Sequence, residues 1–203
     1  MALWLAKDHF NKGSSAVSAG WLNRAETLLA DEPECVDHGY LARMHALMAF
    51  EERADHEAAL AHAQRAFELA GRFGDRDLLA MAIQDRGRVL IDMGKLDEGK
   101  ALFDEVNVSA ASGELSPMTT GIVYCNTITA CVHIADYGRA AEWTDVAERW
   151  CERQAIGGFP GVCRVHRAGI IRRRGAWTEA EEEARRACTE LEGFYVPGAA
   201  EAF

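Results

Sequence analysis

Apolar residues recur every three or four positions along nearly the whole chain, and short stretches rich in glycine or small residues separate the runs. The stretch 86–106 shows the pattern most plainly. Apolar positions at helical spacing flank Gly94, and small residues stand at Gly87, Gly94 and Gly99. A period near 3.6 broken by a central glycine predicts two helices meeting at a tight turn, pressed together where the side chains are smallest. The same reading predicts helices over 2–18 and 21–30, 36–52 and 56–72, 78–93 and 96–106, 116–135 and 137–154, and 162–174 and 177–192. Pro33 stops the first pair, because proline disfavours helix in the residue before it. Gly74 supplies a C-terminal stop and Asp75 an N-cap. Residues 109–113 read as the loosest loop, and Ser116-Pro117 opens the next helix as cap and first helical position. The glycines and proline of 157–161 break the chain again, and 197–203 read as the opening of a further helix.

The pairs fall into a register. Gly20, Ala54, Gly94, Ala135 and Gly175 are read as the turn position, separated by 34, 40, 41 and 40 residues. Five residues on stand Ala25, Ala59, Gly99, Ala140 and Ala180, all small. Twelve on stand Glu32, Ala66, Val106, Ala147 and Ala187, with Glu32 the exception. Alanine is common in this chain, so the weight lies in agreement across five copies. HEAT and armadillo repeats share a period near 40, but small–turn–small spacing favours tetratricopeptide units with long helices. The fold expected is all-α: a tetratricopeptide-like right-handed solenoid of about five helix pairs, forming one domain. The units run roughly 1–33, 34–74, 75–112, 113–156 and 157–196. Neither end shows a polar capping helix, so a fragment of a longer array is expected, able to self-associate through its uncapped ends.

Composition narrows the function. With 203 residues, 49% hydrophobic and 27% charged, the chain reads as globular. A formal charge of −10 repels nucleic-acid backbones and anionic membrane surfaces. No apolar run approaches the ~18–20 residues of a membrane span, and the first residues lack the basic and apolar regions of a secretory signal. The six cysteines (35, 125, 131, 151, 163 and 188) include no Cys-x-x-Cys pair and read as reduced core residues of a cytoplasmic protein.

Candidate chemistry does not assemble. His56-Glu57 with His62 lacks the i, i+4 spacing of a zinc-protease helix; six residues place the rings about 240° apart. Cys163 and His166 have the spacing of half a metal site without a second half. Gly94-Lys95 has no glycine at phosphate-loop spacing, since Gly87 stands seven residues earlier. Gly13-Ser14-Ser15-Ala16-Val17 lacks the closing glycine of a nucleophile elbow. The carboxylates from Glu179 to Glu183 beside Arg185 and Arg186 read as pairs on a solvated helix face, Arg172, Arg173 and Arg174 as cations complementing a helix end, and Trp143 and Trp150 as core. No enzyme and no cofactor are expected. What remains is the face of the first helix in each pair, which lines the concave side of such solenoids. It gives Phe10 and Ser14; Leu41, Met44, Met48 and Glu51; Met81, Gln84, Arg88 and Asp92; Ile122, Cys125, Thr129 and His133; and Val165 and Arg172. Methionines, a thiol and a few polar groups suit an adaptable groove for a protein or peptide, or for a small-molecule effector.

The stretch Ser112-Gly-Glu-Leu-Ser-Pro-Met-Thr-Thr-Gly-Ile-Val-Tyr-Cys125 goes beyond a generic repeat. Together with Ala141-Glu-Trp-Thr144, Arg149-Trp-Cys151, Cys163-Arg-Val-His-Arg-Ala168, Gly175-Ala-Trp177 and Ala184-Arg-Arg-Ala-Cys188, it resembles the repeat region of bacterial LuxR-type transcriptional regulators with MalT-like helical arrays. Gly20-Trp-Leu22 and Phe73-Gly-Asp-Arg-Asp77 fit the same pattern, so the likeness covers nearly all of the chain. The resemblance implies a sensing or interaction region lacking the DNA-binding helix-turn-helix, with no catalytic residues. Thr119-Thr120 and Asn126-Thr127 depart from the family pattern inside a long helix. The alternative is a free-standing repeat scaffold unconnected to transcription.

Overall fold

Connections of three or four residues recur between the helices of each pair. In the computed structural model, which describes residues 1–154 and 160–191, every second helix starts two residues after a position of positive φ. Those positions are Gly13 (69°), Ala54 (51°), Gly94 (80°), Ala135 (60°) and Gly175 (82°). The described helices are α1 (Ala2–Asn11), α2 (Ser15–Leu29), α3 (Val36–Glu51), α4 (His56–Phe73) and α5 (Arg76–Asp92). They continue with α6 (Leu96–Ala111), α7 (Pro117–His133), α8 (Tyr137–Gln154), α9 (Pro160–Arg173) and α10 (Trp177–Leu191). Among the described residues there is no strand, and no helix is long and apolar enough to cross a membrane.

The turns share a chemistry. Gly94 N–H donates to the Ile91 carbonyl and Lys95 N–H to the Leu90 carbonyl, both at 2.9 Å. The same two bonds recur at Gly13 and Ser14, Ala135 and Asp136, and Gly175 and Ala176. This is a Schellman ending, which satisfies two terminal carbonyls and requires a left-handed residue. Gly74 ends α4 in the same conformation, and the Asp75 carboxylate caps α5 by accepting from Leu78 N–H at 2.9 Å. Ser116 caps α7, its hydroxyl accepting from Thr119 N–H at 3.3 Å.

The first pair differs from the sequence reading. One helix was expected over 2–18, but the chain turns at Gly13, and Gly20 lies inside α2. Apolar periodicity continues across the turn, which hid it. Moving the first turn to Gly13 makes the spacings 41, 40, 41 and 40. The position five residues on becomes Ser18, and the position twelve on becomes Ala25 in place of Glu32. The buried register then has no exception: Ser18, Ala59, Gly99, Ala140 and Ala180 in one row, Ala25, Ala66, Val106, Ala147 and Ala187 in the other. The loop expected over 109–113 is also corrected, since α6 continues to Ala111. The break read at 157–161 falls largely outside the described residues, and the further helix opening at 197–203 falls outside them entirely.

Contacts divide the chain into two compact units, Met1–Thr119 and the residues from Thr120 onward. In the first, Ala6, Leu22, Met44, Leu47 and Met48 form one apolar cluster, while Ala42, Ala66, Ala70, Leu78 and Ala82 form another. In the second, Cys131, Ala140 and Ile170 pack together, and Tyr124 lies 6.0 Å by ring centroid from both Trp143 and Trp150. Burial pushes the Tyr124 phenol up from its ordinary pKa.

Candidate interaction surface

In the first unit the first helices of successive pairs carry polar groups that meet across helices. Arg43 of α3 and Asp85 of α5 form a buried ion pair, with Nε to Oδ2 at 2.8 Å and Nη2 to Oδ1 at 3.4 Å. Lys7 of α1 shares this electrostatic environment, and its Nζ stands 5.5 Å from the Phe10 ring centroid. Burial first, and then the Arg43 guanidinium, bring the Lys7 ammonium down to about 8, against opposing attraction from Asp85 and Glu51.

A more open cluster surrounds Phe50. Arg88 of α5 reaches Glu51 of α3 at 3.2 Å, and its guanidinium carbon lies 5.0 Å from the Phe50 ring centroid. His56, at the start of α4, meets the same ring edge-on at 6.0 Å and contacts the Asp92 carboxylate through Nε2 at 2.6 Å. Asp92 therefore pairs with His56, whereas i, i+4 spacing alone would have matched it with Arg88. These charged groups are all partly exposed. Elsewhere in the unit His45 and His62 approach ring to ring at 5.2 Å, with Glu26 3.1 Å from His45. Burial, followed by His45, lowers the His62 pKa.

In the second unit Thr129 of α7 donates to the Cys125 carbonyl at 2.8 Å and lies 2.9 Å from His166 Nε2 of α9. Arg164 donates to the largely buried Glu183 at 2.8 Å, and Arg167 pairs with Glu148.

The structure thus separates the expected groove residues. Met44, Met48, Met81 and Gln84 are buried and are not on an exposed face. In the first unit the first helix of an inner pair is enclosed by its own second helix and by the preceding pair, so the stripe that reads as concave there is largely core. Met44 and Met48, for example, pack with Ala6 and Leu22. Arg88 and Asp92 come together around Phe50. Cys125 is half-buried, His133 is exposed, and Arg172 on α9 is exposed. Lys7, Arg43 and Asp85 escaped the sequence reading. The only signal was their charge inside otherwise apolar helix faces, with Arg43 and Asp85 each one residue from a position read as groove and Lys7 three residues from Phe10. Among the described residues no group of three or more His, Cys, Asp or Glu is placed to hold a metal ion.

No protein-family model matches the sequence, and no curated protein matches it. The fold is matched by the crystal structure of the apo form of RapI, a tetratricopeptide-like helical repeat protein. The TM-score is 0.64 and the identity 11%, over 95% of this chain and 69% of RapI. The chain has an all-α, tetratricopeptide-like fold built of helix pairs.

Proposed function

We propose that this chain is a protein-interaction or effector-sensing repeat region of a bacterial LuxR-type transcriptional regulator, acting in the cytoplasm through the first-helix surface around Arg88. One observation carries the reading. Arg88, Glu51, His56 and Asp92 gather around Phe50 as paired but partly exposed charges on rigid helices. Exposed pairs of this kind contribute only about 0.2–1 kcal/mol, so Arg88 can exchange Glu51 for an incoming carboxylate at small cost. A guanidinium holds such a group with two parallel hydrogen bonds. The Phe50 ring beneath fixes its plane. In the second unit, Thr129, His133 and Cys125 offer a smaller set of polar groups on α7.

The helical repeat fold shared with RapI supports binding over catalysis, and the charge of −10 disfavours duplex DNA as the direct ligand. Pull-down combined with thermal-shift screening tests the reading. A partner or effector that binds the wild type is expected to weaken against Arg88→Ala. If Arg88→Ala and His133→Ala both bind as the wild type does, the surface is structural and the proposal fails. A helix-turn-helix encoded further along the same reading frame would favour the regulator over a free-standing scaffold.

A further inference from the structure

In the first unit α3 touches both α1 and α5. Counted back from the turn residues Gly13, Ala54 and Gly94, Lys7, Met48 and Arg88 take the same place, six residues before the turn. Two cations on the outer helices therefore flank a buried methionine on the middle one. The buried Arg43 guanidinium belongs to the same field. Lys7 meets Arg43 and Arg88 as like charges, and Asp85 and Glu51 as opposite ones.

Both carboxylates are already engaged. Arg43 holds Asp85 at 2.8 Å, Arg88 holds Glu51 at 3.2 Å, and Asp92, further along α5, is held by His56. The half-buried Lys7 ammonium stands 5.5 Å from the Phe10 ring centroid and makes no hydrogen bond or ion pair with any described residue. Its surroundings are apolar, with Leu3, Phe10 and Leu41 packed against Ala6, Met44 and Met48. Three cations thus face two carboxylates, an excess of positive charge in a chain of net charge −10. An ammonium drawn out of water without a partner costs folding free energy. Burial, followed by Arg43, accordingly brings its pKa down to about 8. A charge kept at such a cost marks a place where an anion is received.

We propose that the face formed by α1, α3 and α5 binds an acidic peptide segment of a partner protein, which crosses α3 at Met48 with one side-chain carboxylate on Lys7 and another on Arg88. This rests on the interaction function proposed above for Arg88, and it names the partner's charge and path. The cations are spread along a row over neighbouring helices, which suits two carboxylates on an extended chain better than a single phosphate. Packed helix axes lie 8–10 Å apart, so the two Cα atoms stand roughly 16–20 Å apart. Long side chains lean inward over part of that span. At about 3.3 Å per extended residue, the acidic positions fall about three to five residues apart, with small or apolar residues between them. A carboxylate on Lys7 favours the charged ammonium, so binding carries a proton with it and weakens as the pH rises above about 8.

A phage-displayed library of random peptides is selected on the full chain, on Lys7→Met and on Arg88→Ala. The wild type is expected to select peptides with two acidic positions, Lys7→Met peptides that keep one of them, and Arg88→Ala peptides that keep the other. The peptide most enriched on the wild type, made with a fluorescent label and an amidated C-terminus, is then titrated by anisotropy. It should bind Lys7→Met about tenfold more weakly at pH 7, as loss of a charged hydrogen bond allows. Raising the pH to about 10 should cost the wild type the same factor and leave Lys7→Met unchanged. Lys7→Met keeps an apolar stem and is expected to be the more stable protein, so thermal unfolding separates lost binding from lost fold. Selected peptides without acidic positions, or equal affinity and pH profile in Lys7→Met, overturn the proposal, as does a wild type that selects nothing. If Lys7→Met is silent and Arg88→Ala weakens binding, this inference fails and the function proposed for Arg88 stands; if both are silent, both fail.

Discussion

Gly99 of α6 lies directly over the carbonyl of Gly87 in α5. A Cβ built at 99 would stand 2.7 Å from that oxygen, 2.6 Å from Ile91 Cγ1 and 3.2 Å from the Ile91 nitrogen. Two of these neighbours are helix backbone and yield only if the helices part. Gly99→Ala is therefore expected to lower stability by about 1–2 kcal/mol, as overpacking outweighs the roughly 1 kcal/mol gained in helix propensity. Gly87→Ala should cost less, because its closest new neighbour is the Phe103 side chain at 3.1 Å. Urea denaturation of both variants checks the ranking. The same row holds Ser18 in the first pair, where its hydroxyl donates to the Ala6 carbonyl at 2.8 Å across the helices.

Ala140 occupies that row in α8 and is fully buried, while Glu182 on α10 faces solvent. Ala140→Leu is expected to destabilise by about 1–3 kcal/mol or more, and Glu182→Leu to stay within about 0.5 kcal/mol. Equal melting temperatures would mean that the register is wrong.

Two of the five turns hold alanine in the left-handed region, Ala54 at φ 51° and Ala135 at φ 60°. A side chain there costs roughly 1–2 kcal/mol, against which glycine loses about 0.4–1 kcal/mol through its freer unfolded chain. Ala54→Gly and Ala135→Gly should each raise stability by about 0.5–1 kcal/mol. Thermal unfolding of the single and double variants should show additive gains, since the two turns are far apart in the chain and share no partner.

Lys7 makes stability depend on pH. Its folded pKa of about 8 lies below the ordinary 10.5. From about pH 8 to 10.5 the unfolded state binds more protons at this group, so stability rises with pH; below pH 8 the full cost of the charged form remains. Tyr40 works in the opposite direction above pH 10. Burial and its hydrogen bond to Asp75 at 3.1 Å raise the phenol, which favours the folded state until the unfolded phenol ionises. Denaturant titrations between pH 7.5 and 9 should therefore show a rise in wild-type stability that Lys7→Met lacks, and Lys7→Met should be the more stable protein at pH 7.5.

The helices and their caps could be read from the chain because their causes are local. Asp75 caps α5 through a neighbour three residues away, and Gly74 supplies its own left-handed turn. Rows of small residues were readable for a related reason, since close approach of paired helices tolerates little beyond alanine at a fixed distance from the turn. The first turn was missed because Gly13 has apolar periodicity on both sides, and only the path of the backbone shows where it reverses.

Which face of a first helix meets solvent was decided by tertiary packing. Met48 and Arg88 occupy the same place relative to their turns, yet one is core and the other lies half-exposed over Phe50. Arg43 and Asp85 are 42 residues apart, and no spacing within one helix predicts their ion pair. Local backbone chemistry set the sequence of helices and turns. The exposure and charge partners of each side chain depend on which other helices lie against it, and those contacts join residues distant along the chain.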